Sequence, residues 1–357
     1  MSQQHKGYMI QLDTLRAISI ILVLIQHFSP KKSFFGSEGA FPVGFIGVDI
    51  FFVLSGFLIT RSLIREKDDD LTLTQKAIRF TGKRALRLFP VYYLVLFLGV
   101  AFNFYNIHEF WPWMFGYASN FLAAKEGVPT WGYTQFWSLA VEEQFYLIWP
   151  WFIWLLPIKN LKGAFLAFIA SGVLVRGIMY YIDAPPIAIR FSTFALLDLF
   201  GMGAILAYYH HFKRGEEKKE VFKKLAWVGL AGMAAVVGSR ILKLPILSNP
   251  GVALMFFSFF GSLVYVHLVN ATALGLTWGK AFWENPFLIH IGKVSYGIYV
   301  YHNFVLLILP IALAAVGLSM TEIFIIDFTI LSAVTIFLST VSWHAYEKQF
   351  LKLKDRL

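Results

Sequence analysis

The 357 residues carry 31 Lys and Arg against 21 Asp and Glu, a formal net charge of +10, yet only 15% are charged and 58% are hydrophobic. A soluble domain has about 25% charged residues. With a mean hydropathy of +0.63, the composition excludes an ordinary soluble enzyme or a disordered chain and predicts an all-α, polytopic transmembrane bundle. The sequence has no cysteine, which excludes disulfides, thiolate metal sites, S-palmitoylation and a Cys-acyl intermediate.

Ten apolar stretches follow in chain order, at 10–28, 44–64, 86–106, 137–157, 162–182, 190–209, 224–242, 250–270, 286–312 and 320–345. The first, LDTLRAISIILVLIQHF, holds Arg16 and His27 and lacks a small-residue cleavage site, so it reads as a retained helix and not a signal peptide. Eleven helical steps leave the two side chains about 20° apart on one face and about 16 Å apart along the axis. Ionisable groups at membrane depth are expensive and mark a site by default. The plainer alternative is an arginine at the headgroups and a histidine satisfied by a neighbouring helix.

The second stretch, GFIGVDIFFVLSGFLIT, has Gly44, Gly47 and Gly56 for close helix approach. Asp49 is a candidate to cap the span, orient a ligand or meet His27. Ser55 lies deeper and is a candidate cavity-lining group, although helix packing is the commoner role of a Ser-Gly step. The third begins KRALRLFPVYY, which places Arg84 and Arg87 on one face at its mouth. Guanidinium groups suit bidentate phosphate binding, although arginines at a span end also serve as interface anchors. Segment 110–123 is apolar but short and aromatic, which predicts an interfacial or re-entrant piece.

The fourth stretch, TQFWSLAVEEQFYLIWP, puts Glu142 and Glu143 at about the depth of His27. Neighbours on a helix point about 100° apart, so at most one of them shares a cavity with that imidazole. A carboxylate there would orient the ring and fix its tautomer. Asp198 in the sixth stretch has no partner evident in the sequence. The ninth carries GKVSYGIYVYHNF, with Ser295 and with Tyr299 and His302 as candidate cavity-lining groups. No GxSxG elbow, no zinc-ligand spacing and no internal repeat is found; no metal is expected.

Lys and Arg are concentrated in alternate connections. Arg65, Lys67, Lys76, Arg79, Lys83 and Arg84 follow the second stretch, and Lys213, Arg214, Lys218, Lys219, Lys223 and Lys224 follow the sixth. Lys348, Lys352, Lys354 and Arg356 lie in the tail. The positive-inside rule then predicts a multi-pass protein of the cell (inner) membrane with both termini cytoplasmic, Arg16, Arg84 and Arg87 near the inner face and His27 toward the outer one. Basic residues spread over separate loops suit anionic lipid headgroups and give no reason to expect nucleic acid.

Taken together, the Arg-x10-His helix, GVDIFFVLSGFLIT, RALRLFP, WSLAVEEQFY, SYGIYVYH and the closing AYEKQF resemble, in order and over nearly the whole chain, the acyltransferase-3 family of integral-membrane O-acyltransferases. The resemblance implies about ten spans, an acyl-CoA donor (acetyl-CoA), and transfer to a hydroxyl of a surface polysaccharide or its lipid-linked precursor. On that basis Arg16, Arg84 and Arg87 are expected to hold the donor phosphates. His27 is expected to act as general base, or to accept the acyl group itself, with Glu142, Glu143 and Asp49 as supporting catalytic candidates. Some members append a periplasmic SGNH hydrolase-like domain. Residues 1–357 show none, so the expectation is a single membrane-embedded domain that works alone or hands its acyl group to a separate periplasmic protein. The rival class is a multi-span transporter or flippase of envelope glycans, against which stand the missing repeat and the segregation of arginines from carboxylates.

Overall fold

The computed structural model describes residues 8–36, 43–126, 131–242, 244, 250–321 and 323–356, and no strand occurs among them. The ten apolar stretches fold as long helices: α1 (Gln11–Phe28), α2 (Val43–Arg65), α3 (Leu73–Phe102), α4 (Phe136–Leu155), α5 (Ile158–Tyr181), α6 (Leu197–His211), α7 (Lys219–Ile241), α8 (Pro250–Leu274), α9 (Ser295–Ala315) and α10 (Phe324–Ser342). Among the described residues, eight helices are long and apolar enough to cross a membrane. The other two are α6, with 15 residues, and α4, whose Glu142, Glu143 and Gln144 dilute its apolar run.

Local chemistry explains where the boundaries depart from the hydropathy pattern. Helix α3 begins well before the expected residue 86 because Thr72 and Gln75 form a reciprocal capping box in the polar lead-in. The ninth stretch is two helices. Asn285 caps Pro286–Lys293 by accepting from the Phe287 and Leu288 amides at 2.9 and 3.3 Å, and the chain breaks at Val294 before α9. Segment 110–123 becomes two short helices, Trp111–Phe115 and Ser119–Glu126. They are held to α3 by Tyr92 and Tyr93, whose hydroxyls donate to the Met114 and Phe115 carbonyls.

Helix α2 is central, touching α1, α4, α6 and α8. Its closest partner is α6. A Cβ built on Gly56 would lie 2.2 Å from the Phe200 carbonyl oxygen, and one on Gly203 would lie 2.1 Å from that of Val53. The two glycines therefore let these backbones meet, as small residues do between membrane helices. Aromatic packing continues the contact: Phe200 lies between Phe145 and Phe52, with ring centroids 4.1 and 5.0 Å away.

Two buried ion pairs tie the bundle. Arg176 of α5 grips Asp198 through two bonds of 2.8 and 2.5 Å and also donates to the Ala195 carbonyl. Arg190 donates to Asp49 at 2.6 Å, lies over Phe45 and Trp137, and leaves the other Asp49 oxygen to the Ser258 hydroxyl at 3.2 Å. An unpaired carboxylate here would be unstable, so each pair is a condition of burying its acid.

Candidate active site

An open cavity lies between α1, α2, α3, α4 and α9, a concave setting of the kind that holds small molecules between the helices of a bundle. Helix spacing selects its wall. Ser138, Glu142 and Tyr146 repeat every four residues along α4 and so share one face. Arg84 and Arg87, three residues apart, share a face of α3, and Val48, Ser55 and Ile59 line the cavity from α2. Arg16 enters from α1, and Ser295, Tyr296 and Tyr299 from α9. The three arginines expected from the sequence to converge do so.

Their partners differ. Arg16 bonds Asp13 at 2.7 Å, and Asp13 also accepts from the Tyr8 hydroxyl. Among the described residues Arg84 meets only ring faces, lying 5.6 Å from the Phe80 centroid and 6.0 Å from that of Tyr146. Arg87 has no ion-pair or hydrogen-bond partner among the described residues. On the facing helix the Ser55 hydroxyl donates to Glu142 and accepts from Tyr146 at 3.2 Å. The cavity thus gathers three cations around one carboxylate. Incompletely neutralised guanidinium groups at membrane depth favour an anionic ligand able to take several N–H bonds.

Where the wall reaches Ser138 it meets a polar cluster. Tyr299 and Ser138 share a 2.5 Å hydrogen bond, and the Tyr299 hydroxyl lies 3.0 Å from the Gln135 carbonyl. Gln135 in turn donates to Val300 and accepts from Asn303 at 2.7 Å. One step further along α9, His302 Nε2 is 3.0 Å from His27 Nδ1, and His302 Nδ1 is 2.7 Å from the Tyr299 carbonyl. His27 therefore stands at the opposite end of α1 from the arginine cavity, paired with a second imidazole.

This arrangement corrects the expected carboxylate–imidazole contact. Glu142 engages Ser55 on the arginine side and makes no hydrogen bond to His27 among the described residues. Glu143 turns away into a neighbouring open cavity between α3 and α4, walled by Arg84 and Tyr146, and its Oε1 is buried without a hydrogen-bond partner among the described residues. Asp49 is held by Arg190 and lines neither cavity. Its distance from His27 follows from helix phase, because α2 turns that side chain toward α8 and the segment before α6. Sequence reasoning missed Tyr146 and Ser138, although their four-residue spacing from Glu142 was readable. Arg190 lies too far along the chain from Asp49 to leave a local signal.

The fold and this arginine-lined cavity define a multi-helix membrane protein with a site suited to an anionic ligand. A model of the family described as an acyltransferase domain matches residues 9–344, and the chain belongs to that acyltransferase-3 family. Among its relatives, the peptidoglycan O-acetyltransferase OatA of Listeria monocytogenes is 31% identical over 336 residues, covering 84% of this chain and 50% of the relative. A Staphylococcus aureus protein named "Putative O-acetyltransferase" is 30% identical over 316 residues, with 83% and 50% covered. The chain thus spans about half the length of these curated relatives. No solved structure matches it.

Proposed function

We propose that this chain is a membrane O-acetyltransferase that takes an acetyl group from cytoplasmic acetyl-CoA and delivers it to a hydroxyl of an envelope polysaccharide or its lipid-linked precursor. The observation that carries the reading is the division of α1 between an arginine cavity at one end and an imidazole pair at the other. Arg84 and Arg87, with Arg16 beside them, would hold the donor phosphates. The Lys and Arg bias of the connections supports a cytoplasmic position for that end. The pantetheine arm then has about 16 Å of helix to cover between Arg16 and His27, a span it matches in length.

In this mechanism His27 acts as general base on the acceptor hydroxyl. The hydroxyl oxygen bonds to the thioester carbonyl carbon, its proton passes to His27, and the C–S bond breaks. The departing thiolate then takes the proton back. Glu142 serves the donor end, presenting an acceptor oxygen to the N–H groups of the pantetheine arm while Ser55 holds its other side.

The test is purified protein with radiolabelled acetyl-CoA and a glycan acceptor. Acceptor-dependent transfer of label is the expected result. A protein that moves glycan across vesicles without consuming the donor is a transporter, and the reading fails.

A further inference from the structure

We propose that His302 is a positioning residue that fixes the proton of His27 on Nδ1 and so leaves His27 Nε2 as the nitrogen with the free lone pair. The inference starts from an acceptor that has no proton to give. The Tyr299 carbonyl lies 2.7 Å from His302 Nδ1, and a carbonyl oxygen only accepts, so the Nδ1 hydrogen is on His302. A neutral imidazole carries one N–H, which makes His302 Nε2 an acceptor. That acceptor faces His27 Nδ1 at 3.0 Å, so His27 must donate from Nδ1. The reverse arrangement would turn a His302 lone pair against the Tyr299 carbonyl.

The surroundings hold this chain of protons in place. His302 is fully buried and packed by Phe28 and Tyr299, with ring centroids 6.4 and 5.6 Å away. Tyr299 is itself anchored through Ser138 and the Gln135 carbonyl. His27 remains partly exposed, and its Nε2 has no hydrogen-bond partner among the described residues. Two backbone carbonyls therefore bear on which nitrogen of α1 is basic: that of Tyr299, through two rings, and that of Val23, one turn back on α1, which also accepts from the His27 ring. The consequence for rate rests on the proposed acyl transfer, in which Nε2 takes the acceptor proton; the tautomer itself does not.

The experiment is nitrogen NMR of the full chain in detergent, labelled with ¹⁵N-histidine, with the His27 signals assigned by their loss in His27→Gln. Wild type should show a hydrogen-bearing Nδ1 and a lone-pair Nε2 on His27. His302→Gln, whose side-chain oxygen can accept from His27, should preserve that pattern, and His302→Leu should mix the two tautomers. Turnover should follow. His302→Leu should lose about tenfold or more, the scale of one orienting hydrogen bond, with coenzyme A affinity unchanged, while His302→Gln should recover most of the rate. A wild-type spectrum with the proton on Nε2, or an unaltered His27 pattern in His302→Leu, overturns the proposal. Turnover that survives His27→Gln defeats the acyl-transfer role of His27 instead, and the nitrogen spectrum still decides what sets its proton.

Discussion

Replacing Arg87 tests the donor site in two opposite directions at once. In the free protein this guanidinium lines the cavity without an ion-pair or hydrogen-bond partner among the described residues, with Arg84 and Arg16 on the same wall. Removing it deletes a poorly compensated charge among like charges, so the Arg87→Met protein without ligand should unfold at the same temperature as wild type or higher. Binding should move the other way. One charge-assisted hydrogen bond to a phosphate is worth about 1.5–3 kcal/mol, and each 1.4 kcal/mol is about a factor of ten. Coenzyme A affinity should therefore fall about ten- to a hundredfold, and Arg87→Lys should recover only part of it because an ammonium lacks the planar fork. Calorimetric titration of detergent-purified protein, with thermal unfolding scanned with and without ligand, measures both quantities. Unchanged affinity in Arg87→Met and in Arg84→Met would make these arginines membrane anchors and refute the donor-site assignment.

His27→Ala and His27→Gln should each lower turnover by about 10²–10⁴-fold, the usual scale of general-base catalysis, with coenzyme A still bound; titration beside a radiolabel assay separates the two effects. Asp198→Ala strands Arg176 without its bidentate partner and should destabilise the bundle by about 3–5 kcal/mol. Thermal unfolding should show the double change Arg176→Met/Asp198→Leu recovering most of that loss. Gly203→Ala would set a methyl 2.1 Å from the Val53 carbonyl oxygen, so it should reduce folded yield and unfolding temperature even though it touches no charged group. Single cysteines at Gly215 and Lys354, placed in a chain without native cysteine, should be labelled only from the cytoplasmic side.

The helical class and the arginine convergence were legible in the sequence because each depends on short-range periodicity. Arg84 and Arg87 share a face by spacing alone, and the Arg16–His27 offset is fixed by the rise of one helix. What failed was contact between helices. Depth along the bundle suggested that Glu142 meets His27, but depth says nothing about rotation. The α4 face that carries Glu142 also carries Tyr146, and it turns toward Ser55 of α2. Asp49 likewise sat at a plausible level for catalysis, and its Arg190 partner is visible only once the chain has folded back. His302 was recognisable as a buried titratable residue, yet its pairing with His27 joins positions 275 apart and has no local trace.

The Asp49–Arg190 pair also bears on how the chain enters the membrane. Its partners are 141 residues apart, and at about 5–20 residues per second of synthesis α2 exists for about 7–28 s before Arg190 has been made. A central aspartate costs about 3 kcal/mol to insert, whereas each Leu, Ile, Phe or Val returns about 0.3–0.6 kcal/mol. Fourteen such residues in α2 offer about 4–8 kcal/mol in total, enough to carry the acid alone until its cation arrives. The 15-residue α6 has less apolar length to spare, and its Asp198 is matched to Arg176 only 22 positions earlier, a cation synthesised before the acid it neutralises. The order of charges along the chain thus suits a nascent polypeptide that never has to hold a short helix in lipid with its aspartate unanswered.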